Sequence, residues 1–534
     1  MLLMSCGPEE TPTTSPTPTA TQPTATQPTA TQPTATQPTA TSPGLGDLAK
    51  PAGGVNGGRI QFAVAGAVLN LSDISGGAGP SDAGYVFPVV EPLLRLDGNS
   101  VLQPWLAERF TIADDFSSMT LYLRHGVKFH DGTDFTADAV KWNLDIAAAS
   151  TVYTQMHALE SPVIIDDYTV RLDFKDGVWN WDAAKGLAYW WGALMYSPTA
   201  ARTHDSDWLK THVVGTGPFM LREYTRDQKA AYDAFPDYWR GEPYVDGIDI
   251  NIIPDATTQL LAYKAGELDT IGVQLKDVDR LMAEGFDIIQ SEDAIFNYAL
   301  IPSSADPNSP LNNLLVRQAV QHAIDKDALI EGITYGYGKA TNQIFAIAPY
   351  NNPEVVGYDY DPVEARRLLA LAGYEDGLEL TLTYNEFGVQ EIPLALQDMF
   401  ADVGITLNLN KLSYLVTAAM IFTNGWDGFL MSFTFPGKTI DPGFTAGMYI
   451  TQSGWVSFLK PADIAAVINE AATEPDAASR TAMYQDISQM ITDQCLFQFL
   501  YYVGGFTSIT PFVTGYTIGQ YKEFYAWTYA YFPD

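Results

Sequence analysis

The chain has 534 residues, of which 46% are hydrophobic and 17% charged, and its formal net charge is −34. This apolar content is that of packed globular proteins, and the length suggests about three domain-sized units. The shortage of basic residues excludes binding to a phosphate backbone, so we expect no nucleic-acid partner. The sequence has no window of 18 consecutive apolar residues, and no membrane-spanning helix is predicted.

The first fifty residues predict an anchor followed by a spacer. Cys6 follows Leu3, Met4 and Ser5, a short stretch that resembles the lipobox of bacterial lipoproteins. The residues before Cys6 are too few for a complete signal peptide, so either the true start lies upstream or the match is accidental. We expect Cys6 to be lipidated and residues 1–6 to be the remnant of a signal sequence.

Residues 7–55 are rich in Thr, Pro, Gln and Ala, and the pentapeptide TQPTA occurs in four copies between Thr21 and Ala40. Such a segment cannot bury enough apolar surface to offset the entropy of ordering, so we predict a disordered linker biased toward polyproline II. A plain disordered N-terminus is the alternative. A lipid-bearing cysteine followed by a spacer indicates an extracytoplasmic protein that is tethered to the cell membrane.

From residue 56 onward, strand and helix patterns alternate, which predicts an α/β fold. Alternating apolar and polar residues predict strands at 60–64, 118–123, 245–253, 378–384 and 405–412. Helical periodicity, with caps and terminal glycines, predicts helices at 136–144, 256–266, 314–330, 362–372, 391–403 and 477–492. Thr136 is predicted to cap the first of these helices.

The sequence contains no catalytic or metal-binding motif that we can assign. Cys6 and Cys495 are the only cysteines, which excludes a disulfide framework, and Cys495 is predicted to be a small buried hydrophobe. His125 and His130 are five positions apart, which does not place two ligands on one helix face, so no metal site is predicted. Because no G-x-S-x-G pentapeptide occurs either, we expect neither an enzyme nor a cofactor.

Aromatic residues cluster beside glycines and prolines, where loops commonly carry binding surfaces. These clusters lie at residues 189–192, 335–337, 426–435 and 524–532. They suit a cleft that holds an extended solute of partly apolar or sugar-like character.

Nine different blocks of the sequence together form a recognisable series. Residues 121–140 read LYLRHGVKFHDGTDFTADAV, and shorter blocks lie at 91–94, 105–108, 215–219, 238–241, 266–269, 316–319, 323–326 and 360–366. In content and order, they resemble the extracellular solute-binding proteins of the oligopeptide, dipeptide and nickel group, the receptors of ABC importers. The longest block is similar to that family's LRxGVKFHDGTPFTAxDV, and the resemblance extends from about Gly58 to the C-terminus.

The resemblance implies a two-lobed α/β periplasmic binding protein of type II with a discontinuous first lobe and an extra subdomain. By analogy, lobe one comprises residues 56–290 and 496–534, with the subdomain at about 92–213, and lobe two comprises residues 291–495. Hinge closure around a solute then presents the closed form to a membrane permease. We expect a monomer that contacts the membrane only through its lipid anchor and the permease.

The resemblance also indicates where the solute binds. In peptide binders of this family, a pocket Trp is followed by an Asp that holds the peptide amino terminus, and then by an Asp-Pro pair. Here Phe433 stands at the Trp position, Asp441 begins the Asp-Pro pair, and Phe435 lies where the anchoring Asp is missing. We expect the solute to contact Phe433, Phe435, Asp441, Tyr384, Asn385 and Trp426.

The missing carboxylate bears on the solute class, because a buried ammonium group without a partner is costly. A free-amine peptide is therefore in doubt, although peptides come first as the family's prevalent solutes. An oligosaccharide or another small organic solute is the second hypothesis, and the acidic lobes disfavour an anion. A secreted hydrolase of peptides or glycans is the alternative from another class. A third possibility keeps the binding-protein fold but couples it to a sensor instead of a permease.

Overall fold

In the computed structural model of the chain, the described residues are 56–510 without 67, 69, 75–82, 97–100, 151–153, 189–193, 387, 435–441 and 453. For residues 83, 154, 155, 291–294 and 415 the description covers the backbone alone. The predicted lipidation site Cys6, the linker 7–55 and the aromatic segments 189–192 and 524–532 lie outside the described residues.

The strands form an 11-stranded sheet, a four-stranded sheet and a two-stranded hairpin. They are β1 (Arg59–Val64), β2 (Leu94–Leu96), β3 (Leu102–Pro104), β4 (Ala107–Ile112), β5 (Ser118–Leu123), β6 (Val163–Asp166), β7 (Thr169–Asp173), β8 (Phe219–Thr225), β9 (Lys229–Ala234), β10 (Gly247–Ile252), β11 (Thr270–Val273), β12 (Ile288–Pro302), β13 (Lys339–Ala340), β14 (Leu378–Asn385), β15 (Ile405–Leu412), β16 (Phe429–Thr434) and β17 (Gln498–Ile509).

The helices alternate with these strands. They are α1 (Ala83–Val86), α2 (Ala137–Ala149), α3 (Trp181–Gly186), α4 (Pro198–Thr203), α5 (Ser206–Leu209), α6 (Ala256–Lys264), α7 (Val278–Ala283), α8 (Leu314–His322), α9 (Lys326–Thr334), α10 (Pro362–Leu371), α11 (Glu391–Ala401), α12 (Tyr414–Ala419), α13 (Pro442–Ile450), α14 (Ala462–Thr473) and α15 (Ala477–Asp493). A π-helical turn, Met420–Asn424, continues α12.

The predicted strands and helices are confirmed, with one helix divided in two. The predicted helix at 314–330 is α8 followed by α9, because the chain leaves the helix after His322 and restarts at Lys326. The Asp325 side chain caps the second helix by accepting a hydrogen bond from the Ala328 amide at 2.9 Å. Thr136 does precede α2, in an extended conformation, but its side chain makes no capping hydrogen bond.

The large sheet runs in the order β15-β14-β16-β12-β17-β11-β1-β10-β9-β8, with β13 also paired to β17. Strand β1 is parallel to β10 and β11, and β14 is parallel to β15 and β16. Parallel pairs need crossover connections, which the helices supply. The predicted α/β class is therefore confirmed.

Strands β12 and β17 join the two halves of this sheet. Ile288 to Gln290 pair with Phe506 to Ser508, next to β11, whereas the stretch from Ile295 onward pairs with residues 498–504, next to β16. Between these two stretches, the four residues 291–294 face the single residue Gly505. This irregularity interrupts the ladder where β12 and β17 cross from one half of the sheet to the other.

Separate hydrophobic cores lie along the chain. One is built from residues 93–195 around the four-stranded sheet, and a second from residues 60–90 and 194–252 with Ile509. A smaller core involves residues 263–281 with Phe506, and two further cores occupy residues 299–503.

Helix α3, which belongs to the core of residues 93–195, also contacts α14 and α15. The Trp181 indole Nε1 donates a hydrogen bond to the carbonyl oxygen of Glu474 at 2.8 Å. The Arg480 guanidinium lies 4.3 Å from the centre of the Trp181 ring and donates to the same carbonyl at 2.7 Å. We call these three residues the Trp181 contact.

Candidate functional site

A cavity of about 320 Å³ lies where strands β12, β14 and β16 meet helices α12 and α13. It is lined by Tyr298, Asn385, Gly388, Tyr414, Thr417, Ala418, Ile421, Leu430, Met431, Ser432, Phe433, Met448, Tyr449 and Trp455. We call it the Phe433 cavity. Its volume lies at the lower end of the range of small-molecule sites, so it can hold a small solute or one part of a larger one.

Phe433 presents an aromatic ring at this cavity and is 39% exposed. The register of β12 and β16 places it opposite Tyr298. Its ring meets Phe296 edge-on, with 4.9 Å between the centroids, and Tyr298 lies between Phe433 and Tyr501 at 6.4 and 5.3 Å. The exposed ring is therefore held by neighbouring rings, which makes it a rigid apolar contact for a solute.

A second group of rings closes the cavity on the side of α13. The buried Tyr449 hydroxyl donates to the main-chain oxygen of Phe433 at 2.8 Å, and its ring lies 4.5 Å from that of Trp455. Burial raises the pKa of Tyr449 far above its ordinary value, so this hydroxyl stays neutral. Trp426 lies behind Trp455, buried, with its Nε1 donating to the Ile301 carbonyl at 2.9 Å.

The end of β14 supplies the polar part of the cavity. Asn385 Oδ1 accepts a hydrogen bond from the Gly388 amide at 3.2 Å, and the main-chain oxygen of Asn385 accepts one from the Gln390 side chain at 3.1 Å. Tyr384 is partly buried against the neighbouring core. The turn after β14 is thus fixed by its own hydrogen bonds.

The structure places the six expected solute-contacting residues in three settings. Phe433 and Asn385 line the cavity, Tyr384 and Trp426 pack outside its lining, and Phe435 and Asp441 lie outside the described residues. The lining residues that sequence reasoning did not single out include Tyr298, Met448, Tyr449 and Trp455. The aromatic run at 426–435 was expected to be a loop cluster and instead contains β16, whereas Tyr298 reaches the cavity only through strand pairing.

A second group of polar and aromatic side chains surrounds Glu91, which is fully buried. Its two carboxylate oxygens accept hydrogen bonds from Trp105 Nε1 at 2.9 Å, the Tyr238 hydroxyl at 2.8 Å, the Thr216 hydroxyl at 2.9 Å and Trp239 Nε1 at 3.0 Å. We call these five residues the Glu91 cluster. Burial raises the pKa of Glu91, and the four donors oppose that rise.

Two arginines cover this cluster. The Arg124 guanidinium lies 4.6 Å from the Trp239 ring centre, and that of Arg240 lies 4.5 Å from the Trp105 ring centre. Burial lowers the pKa of Arg124, whose Nε donates to the Trp105 carbonyl at 2.5 Å. These contacts unite the sequence blocks that begin at Glu91, Trp105, Gly215 and Tyr238, so those blocks hold the fold together.

His130, from the longest block, is also structural. Its Nε2 donates to the Gly217 carbonyl at 2.8 Å, and its backbone amide donates to the Gly215 carbonyl. The buried Nδ1 has no hydrogen-bond partner among the described residues. Burial lowers the pKa of His130 to about 4, so the ring is neutral at physiological pH.

The remaining chemistry of the described residues is limited. No group of three or more His, Cys, Asp or Glu side chains in this part of the chain is arranged to hold a metal ion. Cys495 is buried, as predicted, and burial raises the pKa of its thiol to about 11. Among the described helices, none combines the length and apolar character that crossing a bilayer requires.

Comparison with protein families identifies the fold and its general role. The model "Bacterial extracellular solute-binding proteins, family 5 Middle" matches residues 101–453, well over half of the chain. The chain belongs to this family. Its role is therefore that of a family 5 solute-binding protein, as the resemblance of its sequence blocks implied.

Individual relatives of this family 5 protein agree with the assignment. Heme-binding protein A of Haemophilus influenzae is 27% identical over 475 residues, which cover 80% of this chain and 84% of that protein. Glutathione-binding protein GsiB of Salmonella typhi is 28% identical over 342 residues, which cover 62% of this chain and 65% of that protein.

A solved structure shows the same fold. The periplasmic binding protein DppA from Helicobacter pylori, in complex with the peptide STSA, superposes with a TM-score of 0.79 at 21% identity. The superposition covers 90% of this chain and 99% of that chain. The family 5 protein therefore has the two-lobed α/β fold of type II periplasmic binding proteins, which confirms the predicted fold class.

Proposed function

We propose that this protein is the substrate-binding component of an ABC importer, and that it captures an oligopeptide or dipeptide-like solute outside the cytoplasm. A membrane permease receives the solute-loaded form, and the protein itself catalyses no reaction. The observation that carries this proposal is the Phe433 cavity, an aromatic-lined space in a chain that belongs to a solute-binding family. Rigid rings around a small cavity are typical of ligand sites.

The solute class rests on two lines of support. Among the relatives, GsiB binds glutathione and DppA was solved with a peptide, which supports peptide-like solutes as the first candidate. The exposed rings of Phe433 and Tyr414, each 39% exposed, also favour stacking on a sugar face, so an oligosaccharide is the second candidate. Heme-binding protein A illustrates how far solutes differ among relatives.

The sheet supports capture by hinge closure. We assign residues 56–290 and 496–534 to lobe one, with a subdomain at about 92–213, and residues 291–495 to lobe two. The interrupted ladder between β12 and β17 lies at the crossing between these lobes and is suited to act as a hinge. The Trp181 contact joins the subdomain to lobe two, which supports a closed arrangement in which the two lobes touch.

The location of the protein is part of the same proposal. A lipid on Cys6 anchors the chain to the cell membrane, and residues 7–55 act as a spacer that lets a monomeric receptor reach its permease. Mass spectrometry of the native N-terminus tests this step directly. A diacylated Cys6 is expected, and an unmodified chain that begins at Met1 would remove the anchor from the account.

A solute panel tests the function itself. Purified protein is mixed with peptides of two to nine residues, oligosaccharides, glutathione and heme, while melting temperature and product formation are followed in parallel. A solute at 100 times its dissociation constant stabilises the native state by about 2.7 kcal/mol, enough to raise the melting temperature by several degrees. We expect a solute to raise the melting temperature without being converted to a product. Product formation without a rise in melting temperature would mean that the protein is a hydrolase and not a receptor.

A further inference from the structure

The described residues that line the Phe433 cavity carry no charge. None of the described residues that line it has an Asp, Glu, Lys, Arg or His side chain, although the chain contains 63 acidic and 29 basic residues. Tyr298, which is partly buried, and Tyr449, which is buried, stay neutral, because desolvation raises the pKa of both. A charged part of a solute would therefore lose its hydration in this cavity without meeting an opposite charge.

Polar groups in the cavity wall already bond to one another. The Tyr449 hydroxyl donates to the Phe433 carbonyl, and the Thr417 hydroxyl donates to the Tyr414 carbonyl at 2.8 Å. Asn385 Oδ1 accepts from the Gly388 amide. Because these bonds occupy several polar groups of the wall and most of the other lining side chains are rings, aliphatic chains or thioethers, the wall is better suited to apolar contact than to compensating an ionised group.

Two methionines give this wall an adaptable surface. Met431 and Met448 line the cavity together with Phe433 and Trp455, and thioethers pack favourably against aromatic rings. Gly388 makes room for one of them, since a Cβ at this position would lie 2.9 Å from Met431 Cε. The cavity can therefore adjust to rings or branched chains of different shape.

We propose that the Phe433 cavity binds an uncharged apolar group of the transported solute, either an aromatic ring or a branched aliphatic chain, and rejects a charged group at that position. This inference rests on the proposed function, because it names which part of the solute enters the site. The receptor thus selects solutes by a large neutral apolar substituent, whether the rest of the solute is a peptide or a sugar.

Matched solutes test the inference. One series is the tripeptides of alanine with Phe, Leu, Glu or Lys placed in turn at each position, and the other is glycosides with a phenyl, carboxylate or ammonium substituent. In whichever of the two series binds more tightly, calorimetric titration should show that the apolar member binds about 10- to 100-fold more tightly than its charged counterparts. Equal or tighter binding of the charged members would overturn the inference.

The test also separates this inference from the proposed function. If the wild-type protein binds some of these solutes without preferring apolar members, it remains a receptor and only the inference fails. If neither these series nor the solutes of the functional panel bind, the proposed function fails, and the inference falls with it.

Variants then locate the preference in the cavity. Ala418→Phe fills the space from α12, whereas Val416→Phe on the same helix is the matched control, because Val416 is 47% exposed and does not line the cavity. We expect Ala418→Phe to weaken binding of the preferred solute at least 10-fold and Val416→Phe to leave it within 2-fold. Equal effects of the two variants would overturn the assignment.

A second substitution tests the same assignment if the Ala418→Phe protein does not fold. Ser432→Asp places a carboxylate in the cavity wall on β16, where Ser432 is partly exposed. It should raise the affinity for the ammonium-bearing solute relative to the apolar one by at least 10-fold, because the charge now meets a partner. An unchanged ratio in a folded protein would show that this cavity does not choose the solute.

Discussion

The Glu91 cluster and the Phe433 cavity are built from similar side chains, but those side chains face different partners. In the Glu91 cluster, two indoles, a phenol and a hydroxyl all donate to one buried carboxylate. In the Phe433 cavity, rings and thioethers face a space of about 320 Å³. The first arrangement specifies a fold because every polar atom depends on the others, whereas the second leaves contacts for a solute to complete.

The largest expected effect comes from removing the centre of the Glu91 cluster. Glu91→Ala leaves four buried donors without an acceptor, and we expect the free energy of unfolding to fall by about 3–5 kcal/mol. Urea denaturation measures this loss, and Glu375→Gln, at an exposed glutamate, is the control. A loss below about 1 kcal/mol would mean that water replaces the carboxylate and that the cluster is not essential to the fold.

His130 should make the free energy of unfolding decrease at acidic pH. Its pKa is about 4 in the folded state and about 6.5 when exposed, so below pH 6.5 the unfolded chain binds the extra proton. The stability that neutral His130 provides at pH 7 is lost as the pH falls from 6.5 to 4, by up to about 3 kcal/mol.

The measurement for His130 is a pair of stability curves. His130→Gln keeps a donor for the Gly217 carbonyl but does not titrate. The difference in unfolding free energy between wild type and this variant should shrink from pH 7 to pH 4. Parallel curves would show that the imidazole is protonated or solvated in the folded protein.

In the cavity, the expected effect falls on affinity instead of stability. Phe433→Ala removes a ring that is 39% exposed, so the folded state loses little, while the preferred solute should bind about 10- to 100-fold more weakly. Calorimetric titration gives the affinity. Phe422→Ala, which removes a ring that is 64% exposed outside the cavity lining, should leave the affinity unchanged.

The smallest expected effect concerns lobe closure. Arg480→Ala removes the cation over the Trp181 ring, and Trp181→Leu removes the ring and its hydrogen bond to Glu474. If this contact forms on closure, each variant should weaken solute binding by about 3- to 10-fold. Arg226→Ala, at an exposed arginine, is the control. Full affinity in both variants would mean that the contact does not contribute to capture.

The sequence predicted the fold more completely than the site, and the two regions explain why. The blocks that begin at Glu91, Trp105, Gly215 and Tyr238 carry the family resemblance because their side chains meet in one cluster, whose geometry leaves few substitutes. The periodicity of the strands and helices was equally informative. Among the predicted elements it failed only at Asp325, where a capping side chain starts a new helix within a continuous amphipathic pattern. It did not identify β12, β16 or β17 as strands.

The lining of the Phe433 cavity was predicted in part, because it depends on distant pairing. Phe433 and Asn385 were expected and do line the cavity, but Tyr298 joins them only through the register of β12 with β16. Trp426 carried the right composition signal, yet its indole is bonded to the Ile301 carbonyl in the core. Residue type alone could not distinguish a ring that lines the cavity from one that packs behind it.

The most direct test of this separation between fold and site uses wild type, Glu91→Gln and Phe433→Ala. A solute that binds the wild type is titrated calorimetrically into each protein, and the unfolding free energy of each is measured under the same conditions. We predict that Glu91→Gln loses stability but keeps its affinity within about 2-fold, while Phe433→Ala keeps its stability and loses at least 10-fold in affinity. Loss of affinity in folded Glu91→Gln equal to that in Phe433→Ala would contradict the account.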